Sequence, residues 1–408
     1  MATILYPLFD NMQYIHQNHN TVILPDEKYR QEFLYALHFL KAYTGSQGTF
    51  NSYRREIERF LQWTWLYCKK DLTQLKRADI EAYIHFCQYP PAGLIGPHKV
   101  PRFIVKEGLR IPNAKWRPFI QHISKAARKS GDMPSIDDAT LSPGAISEIF
   151  AILSTFFNFL IAEEYLFSNP VMLIRQKSKF IRKQQQAAPV RRLSDIQWQM
   201  VYQSAEALAI QEPHKHERTL FIVSLLFGMY LRISEVVASE RFTPCMNHFM
   251  KDANGAWWFK TVGKGNKERH IAVSDAMLNS LIRWREFLGL APLPGVSDTS
   301  PLIPKLRGQG PMSDTAPIRR LVQLCFDEAE ARLRAINQAD EADLLRAATA
   351  HWLRHTGISE DIKKRPRDHV REDAGHTSGV TTDRYIHIEK QARYDSARNK
   401  TIALIPDE

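Results

Sequence analysis

The stretch that decides the fold of this chain is residues 225–235, which read LLFGMYLRISE. It begins inside an apolar run, residues 220–226, that favours a helix. It then leaves that run and reaches Arg232 and Glu235. Arg232 is the first of several charged or nucleophilic residues whose order along the second half of the chain decides the prediction.

Three further segments continue this order toward the C-terminus. They are VGKGNKER at 262–269, HWLRHT at 351–356, and GH at 375–376 followed nine residues later by a tyrosine. Lys264 falls in a predicted turn between two strands. His351 and Arg354 are three apart and would share one face of a helix. His376 and Tyr385 complete the set.

These residue types suit the cleavage of a phosphodiester without a metal ion. The nucleophile must be a side chain, commonly a hydroxyl. The phosphate oxygens gain negative charge, and arginine binds them with two fixed donors and a permanent positive charge. The leaving oxygen needs a proton, which a lysine or histidine can supply. The sequence therefore indicates a site that cleaves a phosphodiester.

The order L-R-I-S-E, G-K-G-N-K-E-R, H-x-L-R-H-T, G-H and Y resembles the catalytic domain of the tyrosine recombinases of the phage-integrase type. Each fragment is weak alone, but five in this order are specific. The resemblance covers residues 192 to about 395. The first half of the chain resembles the helical core-binding domain of that family more loosely.

The resemblance implies a role for each residue. Arg232 and Arg354 would clamp the scissile phosphate, and Lys264 would protonate the departing 5′ oxygen. His351 and His376 would hydrogen-bond the phosphate and assist proton transfer.

The nucleophile that the resemblance implies is Tyr385, which would form a 3′-phosphotyrosyl bond. That bond keeps the energy of the cut strand, so rejoining needs no ATP. The implied partner is double-stranded DNA, bound by a homotetramer on paired recombination sites, in the integration, excision or resolution of a mobile element. No cofactor and no metal are expected. The apolar C-terminal tail, residues 391–408, is a candidate for docking either in its own domain or on a neighbouring subunit.

Several assignments have rivals in the sequence. They are a structural ion pair between Arg232 and Glu235, Lys267 or Arg269 in place of Lys264, a helix-capping role for His351, and Tyr394 in place of Tyr385. Two other functions also remain. A type IB topoisomerase shares the chemistry, and a non-catalytic DNA-binding protein could keep the fold.

The chain departs from the family pattern at two places. Met229-Tyr230 stands where the family usually has Thr-Gly, which predicts a different backbone before Arg232. The segment between Arg354 and His376 is about one residue short and contains KKRP at 363–366, which predicts a broken or shifted helix.

The predicted fold is mainly α with a small antiparallel β-sheet. It has a helical core-binding (SAM-like) domain and a tyrosine recombinase catalytic domain. The predicted division is an N-terminal segment 1–24, a core-binding domain 25–175 with an irregular insertion at 89–141, a basic linker 176–192, and a catalytic domain 193–408 that includes the C-terminal tail. Local signals predict helix starts at Thr49, at Ser142-Pro143 and at Ser194, and a hairpin turn at Asn254-Gly255.

Composition limits the remaining possibilities. The 408 residues carry a formal net charge of +11, which favours a polyanionic partner such as nucleic acid. None of the four cysteines forms a C-x-x-C pair, so neither a zinc site nor a disulfide framework is indicated. No uninterrupted apolar stretch approaches the roughly 18 residues of a membrane span, and no secretory signal is visible. The sequence thus predicts a cytoplasmic protein with no membrane partner.

Overall fold

A computed structural model describes residues 5–17, 22–120, 141–177, 191–263, 266–375 and 398. The chain divides into two compact units, Met1–Ala187 and Ala188–Glu408. The division falls inside the segment 176–192, for which the sequence predicts a linker. The two units are called the first unit and the second unit below.

The first unit is built from helices around an aromatic core. Its helices are α1 (Arg30–Lys41), α2 (Gln47–Trp63), α3 (Arg77–Gln88), α4 (Pro143–Ala162) and α5 (Pro170–Lys177), and a π-helical turn, Thr64–Cys68, continues α2. Phe60 of α2 packs edge-on against Tyr83 of α3 and Phe157 of α4. All three side chains are buried.

One helix of this unit, α4, is long and apolar enough to cross a bilayer by length and composition alone. Residues Gly144–Ala162 have a mean hydropathy of 1.8, and half of the stretch is buried. Leu153, Phe156 and Phe157 lie fully inside the core. A core helix of a globular unit passes the same test, so α4 is weak evidence for a membrane span.

The insertion predicted at 89–141 is not irregular throughout. Its described part, residues 89–120, contains β1 (Ile95–Gly96) parallel to β4 (Phe119–Ile120), and β2 (Phe103–Lys106) antiparallel to β3 (Leu109–Pro112). The prediction missed these strands because each has only two to four residues. Residues 121–140 lie outside the described part.

The insertion is joined to the N-terminal segment and to α2 by partly buried ion pairs. Arg110 of β3 binds Asp10 through two hydrogen bonds of 2.6 and 2.8 Å. Arg102 pairs with Glu58 of α2, which also accepts the backbone N–H of Leu8 at 2.7 Å. Side chains of the N-terminal segment belong to the core of the first unit; they are Leu5, Leu8, Phe9 and Ile15.

The second unit is helical around one small sheet. Its helices are α6 (Asp195–Gln211), α7 (Pro213–Gly228), α8 (Asp275–Phe287), α9 (Thr315–Ala335), α10 (Ala339–Leu345), α11 (Ala350–Ile362) and α12 (Arg367–Ala374). The strands β5 (Phe249–Lys251), β6 (Trp257–Val262) and β7 (Glu268–Ala272) form an antiparallel sheet in the order β5-β6-β7. The predicted fold class, mainly α with a small antiparallel sheet, is confirmed.

Two of the three predicted helix starts are confirmed, and one is wrong. Ser194 caps α6 in a reciprocal capping box with Gln197, and Ser142 caps α4 with proline at the first helical position. Helix α2 starts one turn before the predicted Thr49, because Ser46 has the extended backbone of a cap and accepts the N–H of Thr49.

The predicted helix break between Arg354 and His376 is also confirmed. Helix α11 ends at Ile362, residues 363–366 form a turn, and Pro366 precedes the first residue of α12. Gly375 ends α12 in the left-handed conformation, with φ 64°, as glycine does without steric cost.

Candidate active site

Arg232 lies four residues after the end of α7, at the start of a short 3-10 turn formed by Ile233–Glu235. Its backbone N–H and its Nη1 both donate to the Glu235 carboxylate, at 2.9 and 2.8 Å. The Arg232 side chain is 29% exposed, whereas that of Glu235 is only 4% exposed. Glu235 therefore fixes the position of Arg232, and part of the arginine side chain remains accessible to solvent.

Glu235 is shared with a second arginine from the sheet. Arg269 of β7 donates Nη1 and Nη2 to the two carboxylate oxygens at 3.0 and 2.8 Å. Burial acts to raise the pKa of Glu235, but the hydrogen bonds and charges of Arg269 and Arg232 outweigh it and lower the pKa below its ordinary value. Glu235 is thus a charged carboxylate that fixes both guanidinium groups.

Helix α11 carries the next two predicted residues. Arg354 is 1% exposed, and it donates to the backbone carbonyls of Tyr230 and of Ala374, the latter at 2.6 Å. His351 lies one turn earlier and is exposed. The ring of His355 packs edge-on against that of His351, with centroids 4.3 Å apart.

The charges of the two arginines converge on His351. Partial burial of the ring is the main cause that lowers the pKa of His351. The positive charges of Arg354 and Arg232 lower this pKa further. Partial burial and the two cations therefore favour the neutral form of the imidazole. The partly exposed Arg232 and an imidazole can bind a phosphate anion and hydrogen-bond its oxygens, and the buried Arg354 adds positive charge beside them.

Two glycines pack against this cluster, and each directly precedes another predicted site residue in the sequence. A Cβ on Gly263, the residue before Lys264, would lie 2.8 Å from Nη1 of Arg269 and 3.2 Å from Oε1 of Glu235. A Cβ on Gly375, the residue before His376, would lie 2.9 Å from Cδ of Arg269. Both glycines therefore allow the backbone to approach Arg269 closely.

Comparisons with known proteins agree with this geometry. No family model matches the chain. Among curated proteins it is 22% identical over 264 residues to tyrosine recombinase XerC of Chlorobaculum parvum, which covers 62% of this chain and 71% of that protein. It is 25% identical over 265 residues to tyrosine recombinase XerD of Staphylococcus saprophyticus, which covers 62% and 75%.

Among solved structures, the fold matches the XerH site-specific recombinase in a post-cleavage complex with difH. The TM-score is 0.55 at 15% identity, over 95% of this chain and 93% of that one. In sequence the chain is similar to tyrosine recombinases, and its fold is that of a solved member of that family. Its curated relatives are enzymes that transfer DNA strands.

The first departure from the family pattern has a visible structural effect. Tyr230, where the family usually has glycine, is in the left-handed conformation with φ 48°. For a residue with a side chain this conformation costs about 1–2 kcal/mol. The backbone before Arg232 thus keeps a shape that suits glycine, and contacts of the Tyr230 side chain must offset the cost.

The structure brings together three of the six predicted site residues: Arg232, His351 and Arg354. The other three, Lys264, His376 and Tyr385, lie outside the described residues. The ion pair of Arg232 with Glu235, considered above as a rival interpretation, does form, and it leaves Arg232 partly exposed. Within the described part of the chain, no group of three or more His, Cys, Asp or Glu could hold a metal ion.

Sequence reasoning missed the function of Arg269, which it considered only as a rival of Lys264. Arg269 is 9% exposed and donates to the Asp373 carbonyl at 3.0 Å as well as to Glu235. A signal was present in the alternation of ERHIA in β7, where the burial pattern places Arg269 on the more buried face together with Ile271.

Proposed function

We propose that this chain is a site-specific DNA recombinase that cleaves and rejoins strands through a 3′-phosphotyrosyl intermediate. The observation that supports it best is that Arg354 donates to the carbonyl of Tyr230, two residues before Arg232, one helical turn away from His351. Such a cluster stabilises the negative charge that builds on a phosphate during displacement.

In the proposed mechanism the Tyr385 hydroxyl gives its proton to a histidine of the site, His351 or His376, as its oxygen attacks phosphorus, and the bond to the 5′ oxygen breaks. Lys264 supplies the proton that the departing 5′ oxygen needs, and His376 hydrogen-bonds the phosphate. The family pattern supports these three roles. Attack by the freed 5′ hydroxyl of the other DNA then reverses the chemistry and releases Tyr385.

The proposed partner is double-stranded DNA, and the proposed working assembly is a homotetramer on paired sites. A net charge of +11 supports the polyanionic partner. We further propose that the reaction serves the integration, excision or resolution of a mobile element. Sequencing the DNA that crosslinks to the chain in cells tests this assignment, since sites at the ends of such elements are expected.

The chemistry is tested with a nicked suicide substrate, which traps the covalent protein–DNA adduct. Wild-type protein should form the adduct in the presence of EDTA. Tyr385→Phe should form none while binding DNA with nearly unchanged affinity, because only one hydroxyl is lost. Tyr394→Phe is the matched control and should retain the adduct.

Three outcomes would contradict the proposal. An adduct in Tyr385→Phe would assign the nucleophile elsewhere. A strict need for Mg²⁺ would contradict the metal-free mechanism. Relaxation of supercoils without joining of two duplexes would favour a topoisomerase over a recombinase.

A further inference from the structure

Tyr230 makes a set of contacts that a glycine cannot make. Its side chain is 1% exposed and packs with Ile358, Val370 and Ala374. Its hydroxyl donates to the Asp361 carboxylate and accepts from Nη1 of Arg365 at 3.1 Å. The residue therefore touches both helices that follow α10.

Arg365 extends these contacts to α12 and to the sheet. It lies in the turn between α11 and α12, and its Nη2 donates to Asp373 of α12 at 2.6 Å. Asp373 in turn accepts the backbone N–H of Ala272 in β7 at 3.3 Å. A continuous polar chain thus runs from the Tyr230 hydroxyl to the strand that carries Arg269.

The backbone of Tyr230 contacts the candidate active site directly. Its carbonyl accepts from Arg354, and the chain continues through Leu231 into Arg232. A Cβ added to Gly357, one turn after Arg354, would lie 3.2 Å from the Tyr230 ring. A shift of the Tyr230 ring would therefore move the attachment points of both arginines.

The two departures from the family pattern meet at this residue. Tyrosine replaces glycine at 230, and the helix break at 363–366 puts Arg365 within reach of the Tyr230 hydroxyl. We propose that Tyr230 is a positioning residue for strand cleavage, which aligns Arg232 with Arg354 through its anchored hydroxyl. This proposal rests on the proposed recombinase function.

The test measures adduct formation in a single turnover with saturating nicked substrate, using the full chain. Tyr230→Phe keeps the ring and loses only the hydroxyl. Its rate constant should fall by about 10- to 100-fold, as when reacting groups lose their alignment. The amplitude and the DNA affinity should stay near wild type. A merely structural role would instead lower the amplitude, because less protein would be folded.

Three further variants complete the design. Asp361→Ala removes the acceptor of the same hydrogen bond and should slow cleavage in the same way, and it replaces Tyr230→Phe if that variant does not fold. The double variant should be no slower than the slower single one, since both act through one interaction. Tyr202→Phe, a part-buried tyrosine of α6, is the matched control and should cleave at the wild-type rate.

The outcomes separate this inference from the proposed function. A wild-type chain that forms no adduct would overturn both. Adduct formation by the wild type with an unchanged rate constant in Tyr230→Phe would overturn the inference alone. Losses that multiply in the double variant, or a lowered amplitude at an unchanged rate constant, would also overturn it.

Discussion

Replacing Glu235 by glutamine should destabilise the second unit strongly, although the side chain keeps its shape. The carboxylate accepts four hydrogen bonds, two from Arg232 and two from Arg269. Each of its oxygens accepts two of them, so an amide loses two in either orientation and turns an N–H₂ group toward the donors. Breaking a buried pair in this way costs about 3–5 kcal/mol.

Thermal denaturation of the full chain measures this cost. A unit of 150–250 residues loses about 2–4 °C per kcal/mol, so the transition of the second unit should fall by roughly 6–20 °C. The first unit should melt as in the wild type and serves as an internal reference. Glu268→Gln is the matched control, because Glu268 is adjacent to Arg269 but its pair with Lys260 is exposed at the surface. An unchanged melting transition of the second unit in Glu235→Gln would refute this account of the cluster.

The pH dependence gives a second check on the same residue. The pKa of Glu235 is lower in the folded than in the unfolded chain. Its contribution is therefore present above the unfolded pKa of about 4.3 and is lost as pH falls through the folded value. The stability difference between wild type and Glu235→Gln should shrink below about pH 4. A difference that stays constant over that range would mean that the charge contributes nothing.

Three further predictions concern the second unit and its partner. Arg232→Ala and Arg354→Ala should each slow adduct formation by at least about 10²–10³ in single-turnover assays, because one fixed donor to the phosphate is lost; a rate near wild type would remove that arginine from the clamp. Gly357→Ala should destabilise the second unit by about 1–3 kcal/mol in thermal denaturation, since its Cβ would lie 2.1 Å from the Phe227 carbonyl oxygen; an unchanged midpoint would contradict the close packing of α7 on α11. DNA affinity in filter-binding titrations should fall steeply with salt, because phosphate contacts release counterions; a flat response would argue against a largely ionic interface.

Local features of the fold could be predicted because their causes are local. The capping box of Ser194 and the proline that follows Ser142 act within four residues, and both structures form as expected. The error at Thr49 has the same origin. Ser46 and Thr49 are both good caps, and the sequence does not show which one takes the extended backbone.

The partners of the charged residues could not be predicted, because the contacts join distant segments. Asp10 meets Arg110 across 100 positions, and Glu235 meets Arg269 across 34. A sequence pattern can identify Arg232 as a candidate phosphate ligand, but it does not say which carboxylate holds it. The family resemblance likewise named the reacting groups and not Arg269, which fixes the site through Glu235 and the Asp373 carbonyl.

The two departures from the family pattern, which the sequence presents as separate irregularities, are energetically linked in the structure: Tyr230 has an unfavourable backbone and a favourable side chain, and the turn at 363–366 adds to the favourable part. The left-handed backbone of Tyr230 costs about 1–2 kcal/mol relative to glycine. Burial of a large aromatic ring contributes more, because removing such a ring from a core costs about 3–5 kcal/mol. The hydroxyl adds hydrogen bonds to Asp361 and Arg365. The bond to Arg365 forms because α11 ends at Ile362 and the chain turns before Pro366. Replacing Tyr230 by the glycine of the family would therefore relieve the backbone and still destabilise this protein. The core would lose the buried ring, and Asp361 and Arg365 would lose their hydrogen bonds to its hydroxyl.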